Sequence, residues 1–125
     1  MRPSCLIVDD SDHFTKAARR LLDAEGIAVV ATAATAAEAL ARYTELRPDV
    51  VLVDVDLGEE SGFDVAGELA DAATGARPRV ILMSVHDGQD FADMTAASAA
   101  VAFLPKLSLS GRAVREILRQ SSPPA

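Results

Sequence analysis

Apolar residues in this chain gather into five short unbroken runs, and the stretches between the runs place apolar residues at helical spacing. A run of four or five apolar residues without polar alternation is typical of a strand buried on both faces of a parallel sheet. The run at residues 50–53 contains three β-branched valines, while the run at 27–31 is weaker. The predicted strands cover residues 5–8, 27–31, 50–53, 80–83 and 101–104.

The stretches between the runs predict five helices. Apolar residues at positions 14, 17, 18, 21 and 22 fall on one face of the first helix. Ser11 or Asp12 is placed to cap the start of this helix, and Gly26 is placed to end it. Residues 35–38 match a capping box at the start of the second helix. The other three helices are predicted at residues 63–70, about 90–98 and 114–118, with loops at residues 58–62, 72–78 and 86–89.

The alternation of five strands with five helices predicts a doubly wound α/β domain, with a parallel sheet, right-handed crossovers and helices on both faces. We expect this (βα)5 domain to occupy residues 1–120, followed by a flexible tail at 121–125. A strand order of 2-1-3-4-5 would make the first and third strands neighbours at the point where the order reverses. Open α/β sheets bind their ligands at that point.

Four of the five predicted strands end in a residue capable of chemistry. Asp9 and Asp10 follow the first strand, Asp54 the third, Ser84 the fourth and Lys106 the fifth. Because the carboxyl ends of parallel strands share one edge of the sheet, these side chains are expected to converge there. The sequence therefore predicts one chemical site at this edge.

Three carboxylates in one crevice repel one another unless some are protonated or a cation neutralises them. Mg²⁺ suits such a site, since it prefers oxygen ligands and completes its shell with water or phosphate oxygens. The ammonium of Lys106 and the hydroxyl of Ser84 are donors that a transferring phosphoryl group needs, and a carboxylate serves as nucleophile through an aspartyl phosphate. These residues therefore indicate Mg²⁺-dependent phosphorylation of Asp54.

Composition narrows the class of function. The 125 residues include nineteen acidic and twelve basic side chains, and the net charge of −7 argues against direct nucleic-acid binding. Only Lys16 and Lys106 are lysines, which gives weight to the one at a strand end. No apolar run is long enough to cross a membrane, no signal-peptide pattern is present, and the single cysteine forms no internal disulfide, so a cytoplasmic protein is expected. Heavy use of alanine and arginine suggests a bacterial genome rich in GC.

The strand-end residues resemble, in type and interval, the receiver domain of two-component response regulators. The residues that carry the resemblance are Asp9, Asp10, Asp54, Ser84 and the segment Phe-Leu-Pro-Lys at 103–106. The likeness covers about residues 4–119 and implies a flavodoxin-like receiver fold. We expect a stand-alone receiver, because no effector domain follows the fifth helix.

The resemblance implies a role for each matched acid. Asp54 corresponds to the phosphoacceptor, and its carboxylate and that of Asp10 would contact Mg²⁺ directly. Asp9 would hold the ion largely through water, and Asp56 would offer its backbone carbonyl.

The resemblance also assigns residues that act on the phosphoryl group or respond to it. Ser84 would hydrogen-bond one phosphoryl oxygen and Lys106 would pair with another. Phe103 resembles the aromatic switch residue whose rotamer follows the serine. We further expect the Asp56 side chain to lean toward the path of the hydrolysing water. His86, at the rim of the site, would touch that water or a partner, with a plain loop histidine as the alternative.

As a function, the resemblance implies a phosphoacceptor switch that takes its phosphoryl group from a sensor histidine kinase or a phosphotransfer protein. We expect no enzyme activity beyond self-phosphorylation from donors and self-dephosphorylation. Output is expected through protein contact at the face formed by the fourth helix, fifth strand and fifth helix, with no nucleic-acid or membrane binding. A monomer or a phosphorylation-linked dimer is expected.

The main alternative is an enzyme. The segment Asp54-Val55-Asp56 also matches the DxD motif of haloacid-dehalogenase-type phosphatases, in which the second acid is a general acid. Those enzymes place a further acidic pair after the lysine, whereas only Glu116 follows Lys106. A receiver fold that no longer takes phosphate is a further alternative, although every chemical position is filled. A nucleotide binder is disfavoured because no glycine-rich loop follows the first strand.

Overall fold

Five parallel strands form the central sheet of the computed structural model, which describes residues 2–72, 78–85 and 92–121. The sheet strands are β1 (Ser4–Val8), β2 (Ala28–Ala33), β3 (Val50–Asp54), β6 (Arg79–Ser84) and β7 (Ala102–Pro105). Between β3 and β6 lies an antiparallel hairpin of β4 (Asp56–Leu57) and β5 (Glu60–Ser61). The helices are α1 (Asp12–Ala24), α2 (Ala36–Leu46), α3 (Gly62–Ala72), α4 (Ala92–Ala97) and α5 (Gly111–Ser121), with a 3₁₀ helix at Lys106–Ser108.

The strands of the main sheet follow the order β2-β1-β3-β6-β7, and every neighbouring pair is parallel. With the hairpin set aside, this is the order 2-1-3-4-5, so the predicted doubly wound sheet is confirmed. β1 and β3 lie side by side, with Val8 opposite Val53. The residues that follow these two strands therefore meet at the point where the strand order reverses.

Two apolar layers cover the faces of the sheet, because alternate residues of each strand point to opposite sides. On one face Ile7 and Leu52 pack with residues of α1 and α5. On the other face Leu6 and Val51 pack with residues of α2 and α3. Every residue of β3 is buried, as expected for a central strand covered on both sides. Cys5 in β1 is also fully buried, and burial raises the pKa of its thiol to about 12.

Side-chain caps define where the helices begin. The Ser11 hydroxyl accepts a hydrogen bond from the Phe14 N–H at 3.3 Å, at the start of α1. The Thr35 hydroxyl accepts one from the Glu38 N–H at 3.2 Å, at the start of α2. Both predicted caps are therefore confirmed, and Ser110 caps α5 in the same way at 3.0 Å.

The segment after β3, which the sequence assigns to a loop, folds instead into the β4–β5 hairpin. Leu57 pairs with Glu60, which leaves a two-residue turn at Gly58 and Glu59. The φ angle is +64° at Gly58 and is not positive at Glu59. That combination is typical of a type II′ turn, which favours glycine at its first central position. Two strands of two residues each are too short to produce a pattern of apolar and polar positions.

Smaller differences concern the ends of elements. β2 continues to Ala33, two residues beyond its predicted end. α5 extends to Ser121, one residue past the predicted domain boundary. Parts of the predicted loops, of the fourth helix and of the tail, at residues 73–77, 86–91 and 122–125, lie outside the described residues. Within the described chain, no helix has both the length and the apolar character needed to span a bilayer.

Candidate functional site

Three carboxylates meet at the C-terminal edge of the sheet. Asp9 follows β1, where its N–H donates to the Ala33 carbonyl at 2.9 Å and holds the segment beside β2. Asp54 is the last residue of β3. Carboxylate oxygens of Asp9, Asp10 and Asp54 all lie within 4.8 Å of one another. The structure thus brings together the three acids that the strand pattern predicts to converge.

The acids differ in exposure and in how they are held. Asp9 and Asp54 are buried, whereas Asp10 is exposed. Asp9 Oδ1 accepts a hydrogen bond from the Ser11 N–H at 2.8 Å, and Asp54 Oδ1 accepts one from the Asp56 N–H at 3.0 Å. In each case the donor lies two residues further along the chain, so the local turn orients the carboxylate. This leaves the Oδ2 atom of each acid for other partners.

Lys106 bridges the two buried acids. Its Nζ lies 2.7 Å from Asp9 Oδ2 and 3.0 Å from Asp54 Oδ2, and its side chain is 11% exposed. The ammonium also lies 4.2 Å from the centroid of the Phe14 ring, which is a cation–π contact. The sequence pattern places Phe14 on the apolar face of α1 and gives no sign of this contact.

Burial and neighbouring charges shift two pKa values in the site. Burial raises the pKa of Asp54, and the charge of Asp9 adds to this, while hydrogen bonds from the Asp56 N–H and from Lys106 act in the opposite direction. Burial alone would lower the pKa of Lys106, but its hydrogen bonds and charge contacts with Asp9 and Asp54 outweigh burial and raise it. The ammonium is therefore retained at neutral pH, and ionised Asp54 lies where a further cation would be favourable.

The oxygen atoms of the cluster test whether a metal ion fits it. Asp9 Oδ2 is buried and pairs with the ammonium of Lys106 at 2.7 Å, whereas the carboxylate of Asp10 is exposed. Beside the acids lies a cavity of about 140 Å³, whose lining includes Asp9, Asp10 and Thr15. Carboxylate oxygens with room for several waters are the ligands that Mg²⁺ prefers. The residues present therefore fit a hydrated magnesium ion.

Two glycines lie close to the acids, for different reasons. At Gly58 a Cβ atom would make an ordinary contact at 3.5 Å from Asp10 Oδ2, and glycine is favoured there by the φ angle of +64°. At Gly62, the first residue of α3, a Cβ atom would lie 2.1 Å from the Asp54 carbonyl oxygen, so only glycine fits. The Gly62 N–H donates to the Val55 carbonyl at 2.9 Å and fastens the hairpin to the end of β3. Sequence reasoning assigns Gly62 only to a loop, because this steric requirement arises from the folded chain.

Of the other predicted site residues, the structure describes Ser84, Phe103 and Asp56. Ser84 is buried at the end of β6, the strand next to β3. Phe103 is half-buried in β7 and packs against the apolar layer of α2 and α3. Asp56 is exposed in β4. His86 lies outside the described residues.

The order of the strands and the acids clustered at Lys106 are typical of one class of protein, and comparison with known families identifies the same class. A family model for the response regulator receiver domain matches residues 5–119. The chain belongs to the response regulator receiver domain family, as the strand-end residues predict. Receiver domains interact with histidine kinases or phosphotransfer proteins, and they bind Mg²⁺ at an acidic pocket.

Individual relatives share parts of the chain. It is 40% identical over 80 residues to protein-glutamate methylesterase/protein-glutamine glutaminase 5 of Myxococcus xanthus (strain DK1622), which covers 63% of this chain and 22% of that protein. It is 38% identical over 85 residues to the transcriptional regulatory protein KdpE of Mycobacterium tuberculosis (strain ATCC 25618 / H37Rv), covering 68% and 36% respectively. A two-component response regulator of the LuxR family from Aurantimonas sp. SI85-9A1 superposes with a TM-score of 0.84 at 28% identity, covering 96% of this chain and 87% of that one.

These relatives correct one expectation. The chain spans about a fifth of the length of the Myxococcus protein and about a third of that of KdpE. The Myxococcus relative is named as an enzyme, so the expectation that this protein has no enzyme activity is contradicted. The residues at the strand ends give information about the receiver domain alone, so they cannot exclude enzyme activity. The haloacid-dehalogenase alternative finds no support, since the family match is to receivers.

Proposed function

We propose that Asp54 accepts a phosphoryl group from a histidine kinase or a phosphotransfer protein in a Mg²⁺-dependent phosphorelay. The observation that carries this proposal is the position of Lys106 Nζ, 2.7 Å from Asp9 Oδ2 and 3.0 Å from Asp54 Oδ2. A carboxylate, a retained ammonium and an acidic cluster share one crevice at the end of the central strand. Phosphoryl transfer needs chiefly the positioning of the reactants and the neutralisation of charge, which this arrangement supplies.

In the transfer step a carboxylate oxygen of Asp54 attacks the phosphorus atom of the donor. The bond from phosphorus to the donor nitrogen breaks, and the donor departs with that electron pair. Lys106 then pairs with one phosphoryl oxygen, and the buried Ser84 hydroxyl hydrogen-bonds another. Because the donor's charge arrives beside an ammonium whose pKa is raised, Lys106 stays protonated throughout.

A magnesium ion, when bound, supplies neutralising charge to the phosphoryl oxygens. The carboxylates of Asp10 and Asp54 would hold this ion directly, Asp9 would hold it through water, and the Asp56 carbonyl would complete the protein ligands. The 4.8 Å span of the three carboxylates and the adjoining cavity support this assignment.

Intact-mass measurement after incubation with Mg²⁺ and acetyl phosphate tests the proposal. Wild-type protein should gain the mass of one phosphoryl group, and the gain should disappear in alkali, as an acyl phosphate requires. Asp54→Asn should gain none. Asp71→Asn, which changes an exposed acid of α3, should behave as wild type. A wild-type protein that stays unmodified, or a modified Asp54→Asn variant, would overturn the assignment.

The proposed output is a change of the surface formed by α4, β7 and α5. Phosphorylation would draw Ser84 toward the new oxygens, and Phe103, which is only half-buried, would turn inward behind it. Such a local charge event can bias an element that has two packed states. The partner at this surface would be a protein, and the receiver would act as a monomer or as a phosphorylation-linked dimer.

Amide NMR spectra with and without Mg²⁺ and beryllofluoride, a phosphoryl mimic, test this output surface. We expect shifts at the acidic site and also along α4, β7 and α5. In Phe103→Ala the shifts at the site should persist while those along the surface shrink. Shifts confined to the site in wild-type protein would contradict the switch, while leaving phosphorylation of Asp54 intact.

The lifetime of the acyl phosphate is proposed to depend on the rim of the site. Asp56 is exposed two residues beyond Asp54, where its side chain can reach the path of an attacking water. His86 is proposed to touch the same water or a partner. Hydrolysis of the phosphorylated protein should change in rate in Asp56→Asn and in His86→Gln. The exposed Asp64 in the first turn of α3 provides a control, Asp64→Asn. Equal rates in all four proteins would remove this role.

A further inference from the structure

The end of the sheet opposite the acidic site carries a cavity of about 360 Å³ that is rich in arginine. Its lining comprises Arg2, Pro3, Asp49, Arg79, Arg115, Leu118 and Arg119. Four of the twelve basic residues of a chain with net charge −7 therefore face one cavity, together with a single acid. The surrounding elements bring them from distant parts of the sequence to this place.

Three of the four arginines of this cavity lack an acidic partner within the described part of the chain. There, none of Arg2, Arg79 and Arg115 has a carboxylate within ion-pair distance. The one acid of the lining, Asp49, is engaged elsewhere, since its Oδ2 accepts hydrogen bonds from the Ser4 N–H at 2.8 Å and the Ser4 hydroxyl at 3.1 Å. Arg119 pairs with exposed Glu116, at 3.2 Å.

Contacts with the backbone use a minority of the guanidinium donors. Arg79 donates from Nε to the Asp49 carbonyl at 3.2 Å and from Nη1 to the Leu118 carbonyl at 3.5 Å. Arg2 donates to the carbonyl of Asp23 at 3.4 Å, and Arg115 donates to that of Glu25. These bonds fix the side chains at the ends of helices. Each guanidinium has five N–H donors, so most of them remain for a ligand.

We propose that this cavity binds a small molecule that carries a diphosphate group. One guanidinium group can form two parallel hydrogen bonds to a phosphate group. Several guanidinium groups around one cavity therefore favour a ligand with several anionic oxygens. The volume lies at the lower end of the range for small-molecule sites. The backbone bonds of Arg79 and Arg115 orient these side chains before a ligand arrives, which lowers the cost of binding.

Isothermal titration with inorganic pyrophosphate and with ADP tests the proposal, in buffer of physiological ionic strength containing EDTA. One saturable site is expected with either probe. Tighter binding of ADP would show that the organic part is recognised, and equal binding would show that the diphosphate alone is recognised. Asp54→Asn should bind both probes as wild type does, because the acidic site lies at the other end of the sheet.

Two variants locate the binding. Arg79→Gln should weaken binding about tenfold, as loss of a charged hydrogen bond would. Because Arg79 also bonds to the backbone, its loss could disturb the fold. Arg119→Gln changes a side chain that pairs with exposed Glu116, so it gives an independent test without that risk. The matched control is Arg42→Gln, at an exposed arginine paired with Glu45 at the same sequence interval. Arg42→Gln should leave affinity unchanged.

Several results would overturn the proposal. They are the absence of saturable binding by either probe, unchanged affinity in both Arg79→Gln and Arg119→Gln, and loss of binding in Asp54→Asn. Tighter binding of an oligoglutamate peptide than of either diphosphate would also overturn it, since that result would identify an acidic protein segment as the occupant.

Discussion

Lys106 occupies a position unlike that of the chain's other lysine. Lys106→Met should lower the free energy of unfolding by about 3 kcal/mol in Mg²⁺-free buffer, because it leaves the buried carboxylates of Asp9 and Asp54 without their cation. Lys16 is the matched control, since it is 73% exposed and pairs with exposed Asp12 at 3.1 Å. Lys16→Met should cost no more than about 0.5 kcal/mol. Urea denaturation measures both, and equal losses would show that the bridge contributes no more than a surface ion pair.

Ionised Asp54 opposes the stability of the folded chain. Its pKa is raised, chiefly by burial, so the folded protein holds the Asp54 proton more tightly than the unfolded chain does. The corresponding stability is fully present below the unfolded pKa and is lost as the pH rises through the raised folded pKa. In Mg²⁺-free buffer, Asp54→Asn should therefore raise the melting temperature at pH 7, and the gain should shrink toward about pH 4. A gain that is the same at both pH values would contradict this account.

Two glycines of helix α3, Gly62 and Gly67, are expected to respond in opposite ways to substitution by alanine. Gly62→Ala would force a Cβ atom against the Asp54 carbonyl, and we expect it to cost about 3 kcal/mol or more. Gly67 lies in the interior of α3, where a Cβ atom would meet nothing within 4 Å beyond the helix's own backbone. Gly67→Ala should therefore stabilise the protein by about 1 kcal/mol through helix propensity. Thermal denaturation of the two variants checks the opposite signs, and a shift in the same direction for both would refute the steric argument.

Elements that depend on local patterns could be predicted from the sequence. The strands and the caps at Ser11 and Thr35 follow from apolar runs and from side chains that satisfy helix N–H groups. The β4–β5 hairpin could not be predicted, since its position depends on tertiary contacts. One of these is the carboxylate of Glu60, which accepts a hydrogen bond from the Ala36 N–H at the start of α2, at 2.9 Å. The positive φ angle at Gly58, in the turn of the hairpin, completes this arrangement.

Within the functional site, too, some features could be predicted from the sequence and others could not. Convergence of Asp9, Asp54 and Lys106 could be predicted because each lies at a strand end and the topology of a parallel sheet gathers such ends. The contact of Lys106 with the Phe14 ring and the close approach of Gly62 to Asp54 could not, because they depend on how α1 and α3 pack on the sheet. The charged groups of the site could thus be predicted from their positions at strand ends. The contacts that hold these groups in place could be recognised only in the folded structure.

On the scale of the whole molecule, charge is divided between the two ends of the sheet. The C-terminal edge holds the cluster of Asp9, Asp10 and Asp54, of which Asp9 and Asp54 pair with the ammonium of Lys106. The N-terminal edge holds the arginine-lined cavity. The net charge of −7 is therefore not representative of either end of the sheet. It gives no information about which anions or cations each end attracts. Binding of a cation at one end and of an anion at the other should be independent, because the sites share no residue.

Magnesium should stabilise the whole fold by mass action through the acidic edge. At a concentration one hundred times the dissociation constant, a ligand that binds only the folded state adds about 2.7 kcal/mol to the free energy of unfolding. We expect the melting temperature to rise with Mg²⁺ and to stay unchanged with choline chloride at equal ionic strength. Asp10→Asn, at an exposed acid of the cluster, should abolish most of the rise, whereas Asp71→Asn, at an exposed acid of α3, should retain it. An equal rise in Asp10→Asn and wild type would show that the ion binds elsewhere, and it would remove Asp10 from the ligands of the proposed phosphorylation site.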